Sequence, residues 1–323
     1  MANVLAGDVG GTSTRLGIFE RAPRPALLVM RTYGTRDYAS IEAMTAAFLH
    51  DVGIPASSVT AACFGAAGPV INGVATLTNT PVRVDAHAIA DVLGLARLSL
   101  LNDLEALAHS VSVLSNDELL ALQDRRADPS GSIAVIAAGT GLGEATLHHI
   151  GDRLVVKASE GGRADFAART EREITVLRAL TREFGRAAVE HVVSGPGLVN
   201  IHKALRSAGC DAKIDLAATD APSALAESAS ARKCSTCVEA MELFIEAYGA
   251  EAGNLALRAV ATGGVYIGGG IAPKALDWLK NGSFLSAFRA KAPFTPLLES
   301  MPVRVILNPH AGLLGAAHYC SVS

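Results

Sequence analysis

Three glycine-rich turns and a handful of acidic residues carry the chemistry legible in this chain. Residues 7–12 read GDVGGT, residues 138–143 read AGTGLG, and residues 268–271 read GGGI. Glycine lets backbone N–H groups approach an anion closely, and a threonine hydroxyl adds a donor. Gly7, Asp8, Val9, Gly10, Gly11 and Thr12 therefore form one candidate phosphate-binding turn. Gly139, Thr140 and Gly141 form a second, and Gly269 and Gly270 a third. Asp8, at a strand end, is placed to hold a hydrated Mg²⁺. None of these turns matches GxxxxGK[ST], and the first lacks GxGxxG, so neither a P-loop nor a dinucleotide fold is supported. A lone glycine turn reads first as a tight hairpin. Two of these, however, occupy equivalent places in VLAGDVGGTSTRLGIFE (4–20) and AVIAAGTGLGEATLHHI (134–150). Such a repeat implies two related domains whose turns clamp a polyphosphate.

The acidic candidates are less distinctive on their own. Asp103 in LLND (100–103) closes a strand and opens a helix, a usual place for a site in an α/β protein. Asn102 and Asp103 could equally be a helix cap, with Glu105 completing a capping box. SEGGR (159–163) sets Glu160 and Arg163 around two glycines. Glu190, in AAVEHVVSGPG, reads locally as an exposed helix residue, followed by Ser194 as N-cap and Pro196 in the first turn.

The elements that must position these residues follow from hydrophobic periodicity. Strands are expected at 4–9, 14–20, 26–33, 58–68 and 98–103, with helices at 41–52 and 86–95, in the order βββαβαβ. The second half repeats strand, glycine turn, strand over 131–159. Helices follow at about 171–184, 197–207 and 237–259, then a strand at 264–271, a helix from Pro273, a strand at 303–308 and a last helix at 311–319. Strands joined through helices imply parallel pairing. The stretch 209–233, rich in Ala, Ser and Asp, is expected to be the least structured.

The 323 residues suffice for about two domains. With 28 basic against 31 acidic residues and a net charge of −3, no nucleic-acid or anionic-membrane partner is expected. MANVLAGDVGG has no basic n-region, so no signal peptide is expected and the location is read as cytoplasmic. The five cysteines are an odd, sparse set that fits a reducing compartment. Cys234 and Cys237 form a CxxC, but no second CxxC or His pair accompanies it in sequence. They read as structural thiols, and no metal cluster is expected.

Taken in order, GDVGGT, LLND, AGTGLG, SEGG, SGPGLVN (194–200) and GGVYIGGGI (263–271) resemble the bacterial glucokinases. The resemblance runs essentially end to end. It implies an α/β fold of two actin-like ATPase (ribonuclease H-like) domains with an interdomain cleft. It also implies ATP-dependent phosphorylation of a hexose, ATP and Mg²⁺ as cofactors, and a homodimer. The small domain is expected at 1–112 plus 304–323 and the large one at 113–303, with the two crossings as hinges whose closure would exclude water. By resemblance Asp103 is the general base, worth roughly 10²–10⁴-fold for a sugar hydroxyl. Asn102, Glu160 and Glu190 are sugar contacts on the same ground.

Two positions depart from the family pattern. Ser13 stands where many members have Asn. Arg163 stands where the family typically has the His of EGGH. Guanidinium only donates, reaches further and stays charged. Arg163 is thus expected to point away or pair with Glu160, to donate to the same hydroxyl, or to select a sugar with an oxidised group near C1. Two other classes remain. A non-catalytic sensor would carry a helix-turn-helix region, which a first strand at about residue 4 leaves unexpected. An actin- or chaperone-like ATPase would lack SEGG, SGPG and LLND.

Overall fold

The computed structural model describes residues 3–77, 80–151, 153–205 and 214–322. The chain divides into two compact units. One comprises the described residues of Met1–Glu118, Val156–Ala158 and Asn308–Ser323, and the other those of Leu119–Val155 and Ser159–Leu307.

The first unit is built on strands β1 (Asn3–Val9), β2 (Ser13–Glu20), β3 (Ala26–Gly34), β4 (Val59–Ala66) and β8 (Ser99–Asn102), in the order β3-β2-β1-β4-β8. The near-continuous apolar run of β1 follows from burial on both faces. Leu5 and Val9 pack toward helices α1 (Ile41–Asp51) and α2 (Ala86–Leu93), against Ile41, Met44, Phe48 and Ile89. Val4 and Ala6 pack on the opposite face with α3 (Asp103–Ser110) and α11 (Ala311–Val322), against Ala106, Leu313 and Ala317. Each fully buried large side chain of this kind contributes about 1.5–3 kcal/mol. Ser40 caps α1 by accepting from the Ala43 N–H at 3.2 Å. Between α1 and α3 lies a small sheet that periodicity did not reveal, β5 (Val70–Ile71), β6 (Val74–Thr76) and β7 (Arg83–Asp85). Strands of two or three residues are too short to carry a period.

The second unit has β9 (Leu119–Gln123), β10 (Ile133–Ala138), β11 (Leu142–Ile150), β12 (Arg153–Ser159), β13 (Gly264–Gly268) and β14 (Val303–Ile306), in the order β12-β11-β10-β13-β14-β9. Its first five positions repeat the order of the other sheet. In each, an antiparallel hairpin (β1–β2, β10–β11) is followed outward by a parallel strand (β4, β13). The internal repeat in the sequence is thus a repeat of topology. Helices α4 (Glu171–Phe184), α5 (Gly195–Leu205), α6 (Ala221–Ser230) and α7 (Ser235–Ala259) pack around one apolar cluster, with Tyr248, Phe244 and Phe284 at its centre.

Two expectations are corrected. The segment 209–233 contains α6, whose Pro222 is a first-turn signal obscured by its small-residue composition; residues 209–213, including Cys210, lie outside the described residues. Beyond Pro273 the chain forms a 3₁₀ turn, Ala272–Ala275, and only then the short α8 (Leu276–Lys280). Two further short helices, α9 (Ser283–Arg289) and α10 (Thr295–Ser300), and the edge strand β9 were not foreseen. Residues 206–207, expected to extend α5, also lie outside the described residues. No helix among the described residues is long and apolar enough to cross a membrane.

Candidate active site

In the first unit the candidates gather at the C-terminal ends of β1 and β8. The β1–β2 turn closes with Val9 opposite Thr14, and the Gly10 N–H donates to the Ser13 carbonyl at 3.1 Å. Asp8 lies part-buried, and one of its oxygens accepts from Arg15 at 3.0 Å. Of the two alternatives for LLND, the helix cap is realised at Asn102. Asn102 is the N-cap of α3, its Oδ1 accepting from Leu104 N–H at 2.9 Å and Glu105 N–H at 3.4 Å. Its amide N–H donates to the Gly68 carbonyl at 3.2 Å, tying the helix start to the loop between β4 and β5. Asp103, the first residue of α3, is exposed, and its Oδ1 accepts from the Leu104 N–H at 2.9 Å. Two carboxylates in the first turn suit the positive end of a helix dipole. Burial pushes the Glu105 carboxyl above its ordinary range, against the pull of hydrogen bonding at Asn102 and of Lys157.

In the second unit two glycine turns and the SEGGR loop are drawn together around one carboxylate. The β10–β11 turn is closed by a Gly139 N–H to Gly141 carbonyl bond of 2.8 Å. Parallel pairing of β13 with β10 brings the third turn beside it, where the Ile271 N–H donates to the Ala138 carbonyl at 3.3 Å. Gly269 sits at φ +84°, and a Cβ there would fall 2.3 Å from that carbonyl, so no larger residue fits. SEGGR forms a 3₁₀ turn, Gly161–Arg163, after β12. It packs so tightly under β11 that a Cβ on Gly162 would lie 2.1 Å from the Leu142 carbonyl oxygen.

Glu190 joins these pieces. It lies in a 3₁₀ turn, Val189–His191, and is part-buried, so the exposed-helix reading of this residue is wrong. Its Oε2 accepts from the Leu142 N–H at 2.9 Å, at the end of the second glycine turn. Its Oε1 pairs with Arg163 Nη2 at 2.8 Å. The carboxylate partner of Arg163 is thus Glu190 and not the adjacent Glu160, which stands exposed at the head of the 3₁₀ turn. Ser194 behaves as its spacing predicts. Its hydroxyl accepts from the Gly197 N–H at 2.9 Å and donates to the Glu190 carbonyl at 2.7 Å, coupling α5 to the Glu190 turn. Desolvation, then the nearby Arg163 charge, hold the His191 imidazole below its usual range, and its Nδ1 accepts from the Ala188 N–H at 3.2 Å.

Sequence reasoning missed two supports. Tyr248 of α7 is fully buried beneath the paired turns. Its hydroxyl accepts from the Ala138 N–H at 3.2 Å and faces the Ile136 and Gly268 carbonyls at 3.4 Å, so one side chain braces both β10 and β13. A tyrosine on a buried helical face gives no sequence signal of this task. Glu144 lies beneath the SEGGR loop, since a Cβ on Gly161 would meet its Oε2 at 2.1 Å. Desolvation first, then Glu251, push its carboxyl up to about 8 against the opposing charge of Arg258.

A glucokinase family model matches residues 5–322 of this chain. A glucokinase of Trichormus variabilis is 39% identical over 341 residues, covering 98% of each chain. The chain belongs to the glucokinase family. Its structure resembles that of a glucokinase from an Antarctic psychrotroph, with a TM-score of 0.86, 28% identity and full coverage of both chains. A ROK family glucokinase from Streptomyces griseus, solved with glucose and AMPPNP, matches with a TM-score of 0.64 at 19% identity over 100% of each chain. The fold is accordingly that of the actin-like ATPase sugar kinases. Arg163, the position at which the sequence departs from the resemblance, is held by the Glu190 carboxylate.

Proposed function

We propose that the chain is an ATP-dependent hexose kinase that converts glucose to glucose 6-phosphate. The observation that carries this reading is the match to a glucokinase along nearly the whole of both chains. The residues supply what phosphoryl transfer asks of a protein, positioning and neutralisation of charge. Asp103, exposed at the start of α3, orients the attacking hydroxyl and accepts its proton. Glu160 and Glu190 accept from the sugar hydroxyls, and the amide of Asn102 contributes a further polar contact. The turns at 7–12, 139–141 and 269–270 present backbone N–H groups to the phosphates of ATP, which provides the transferred phosphoryl group when bound. The part-buried Asp8 carboxylate at a glycine turn suits a hydrated Mg²⁺ held through its water shell, since one oxygen is already engaged by Arg15. Mg²⁺ would neutralise phosphate charge there.

A sugar carrying a carboxylate is disfavoured by one observation. Arg163 already has Glu190 as its counter-charge at 2.8 Å. The test is an ATP-coupled assay over a sugar panel, repeated on Arg163→His. Sugar-dependent ATP consumption that is greatest with glucose is expected. Preference for an acidic sugar would overturn the substrate, and ATP hydrolysis without sugar would overturn the kinase reading. The family resemblance extends to a homodimer, which light scattering on the purified chain tests.

A further inference from the structure

The cysteine pair read from sequence as structural thiols has a third member that the fold supplies. Cys234 is the N-cap of α7 and Cys237 lies in its first turn, on the same side of the helix. His202, near the C-terminal end of α5, reaches the same point. The ligating atoms of His202, Cys234 and Cys237 all lie within 4.8 Å of one another. All three residues are buried, at 2%, 5% and 1% exposure.

Zinc takes thiolate sulfur at about 2.3 Å and imidazole nitrogen at about 2.0–2.1 Å in a tetrahedron, whose edges are then roughly 3.5–3.8 Å. From within 4.8 Å, that geometry is reached by a contraction of at most about 1 Å. Two thiols and an imidazole form a soft donor set that favours zinc over magnesium or calcium. The start of a 25-residue helix stabilises thiolates through its dipole and unpaired N–H groups.

We propose that His202, Cys234 and Cys237 hold a structural zinc ion that staples the end of α5 to the start of α7. Binding converts two thiols to thiolates and releases two protons, with the imidazole neutral. Water completes the fourth corner of the tetrahedron. The staple bears on the sugar-site region of the same unit. The other end of α5 is capped by Ser194, whose hydroxyl donates to the Glu190 carbonyl.

The experiment uses the full chain, expressed without a metal-binding tag and purified reduced without chelator. Elemental analysis is expected to find about one zinc per chain. Cys234→Ser and Cys237→Ser are each expected to lose it, with a lower melting temperature. Because those variants could fail to fold, the wild-type chain is also stripped under reducing conditions and titrated with Co²⁺. Tetrahedral d–d bands and a thiolate-to-cobalt charge-transfer band are expected, both abolished by competing Zn²⁺. Wild-type protein with zinc at background and no cobalt bands overturns the proposal. So does a Cys234–Cys237 disulfide in protein from a reducing cytosol, and so does zinc that persists in the double Cys→Ser variant.

Discussion

Replacing Glu190 by glutamine separates the two tasks that its carboxylate has in the structure. One oxygen accepts from the Leu142 N–H at 2.9 Å, and the amide oxygen of glutamine can keep that bond. The other faces Arg163 at 2.8 Å, and the NH₂ of glutamine cannot accept there. The structural loss is bounded by the ion pair. Arg163 is 52% exposed and Glu190 18%, so screening leaves the pair worth at most about 1 kcal/mol. In a chain of this size that shifts the melting temperature by roughly 2 °C.

The functional loss is larger. A hydrogen bond to a charged acceptor is worth about 1.5–3 kcal/mol. Removing it from a sugar hydroxyl lowers kcat/KM for glucose by about 10- to 150-fold. Arg163→Ala removes the same ion pair but leaves the acceptor, so its kcat/KM should change by no more than about fivefold. The assay is steady-state glucose phosphorylation for both single variants and the double variant, with thermal melts in parallel. A Glu190→Gln kcat/KM within about threefold of wild type would refute the ligand role and leave Glu190 as a brace of the glycine turn. An Arg163→Ala loss as large as that of Glu190→Gln would refute the division of labour.

Asp103→Asn should lower kcat by about 10²–10⁴-fold, because the hydroxyl loses its proton acceptor. Its melting temperature should hold, since an exposed substitution of this kind stays within about 0.5 kcal/mol. Gly162→Ala forces a Cβ against the Leu142 carbonyl oxygen; it should cost about 1–3 kcal/mol and raise the glucose KM, read from melts and steady-state kinetics. Glu144 gives a pH signature. Its folded-state carboxyl is raised to about 8 from an ordinary 4.5, so between those values the folded chain holds the extra proton. Stability therefore falls as pH rises through that window. Glu144→Gln should flatten this decline in melts taken from pH 5 to 9, and an unchanged slope would refute the assignment.

The fold was legible where periodicity runs long. VLAGDV, the hairpins and the helices at 171–184 and 237–259 appear within two residues of their expected bounds at nearly every end. The one- to two-turn helices α8 to α10, of five to seven residues, fell below the length at which a helical period can be counted, and the edge strand β9 was also missed. Site residues were legible by type but not by partner. Asn102 and Asp103 were read as cap or site, and the structure gives Asn102 the cap while leaving Asp103 exposed at the helix start. His202 and Cys234 are 32 positions apart, and Glu144 and Glu251 are 107 apart, so no local pattern could join them. Such pairings are set by how helices pack on a sheet, which a single sequence does not encode locally.

Arg163 illustrates how a departure from a family motif is absorbed. An imidazole in its place is short and can donate or accept, so it can serve a sugar hydroxyl directly. The guanidinium is longer, stays charged and pairs well with a carboxylate. It finds one in Glu190, whose other oxygen is already fixed on the Leu142 N–H. The added positive charge is therefore matched by a carboxylate of the neighbouring Val189–His191 turn, and the Glu190–Arg163 pair presents no net charge. A net-neutral pair gives a sugar acid no electrostatic advantage over glucose. The argument predicts that removing the counter-charge, by Glu190→Gln, moves the sugar panel toward acidic sugars relative to glucose, whereas Arg163→His does not. An acidic-sugar preference already present in the wild-type chain would show that the pair opens on binding, and that Arg163 reads the substrate itself.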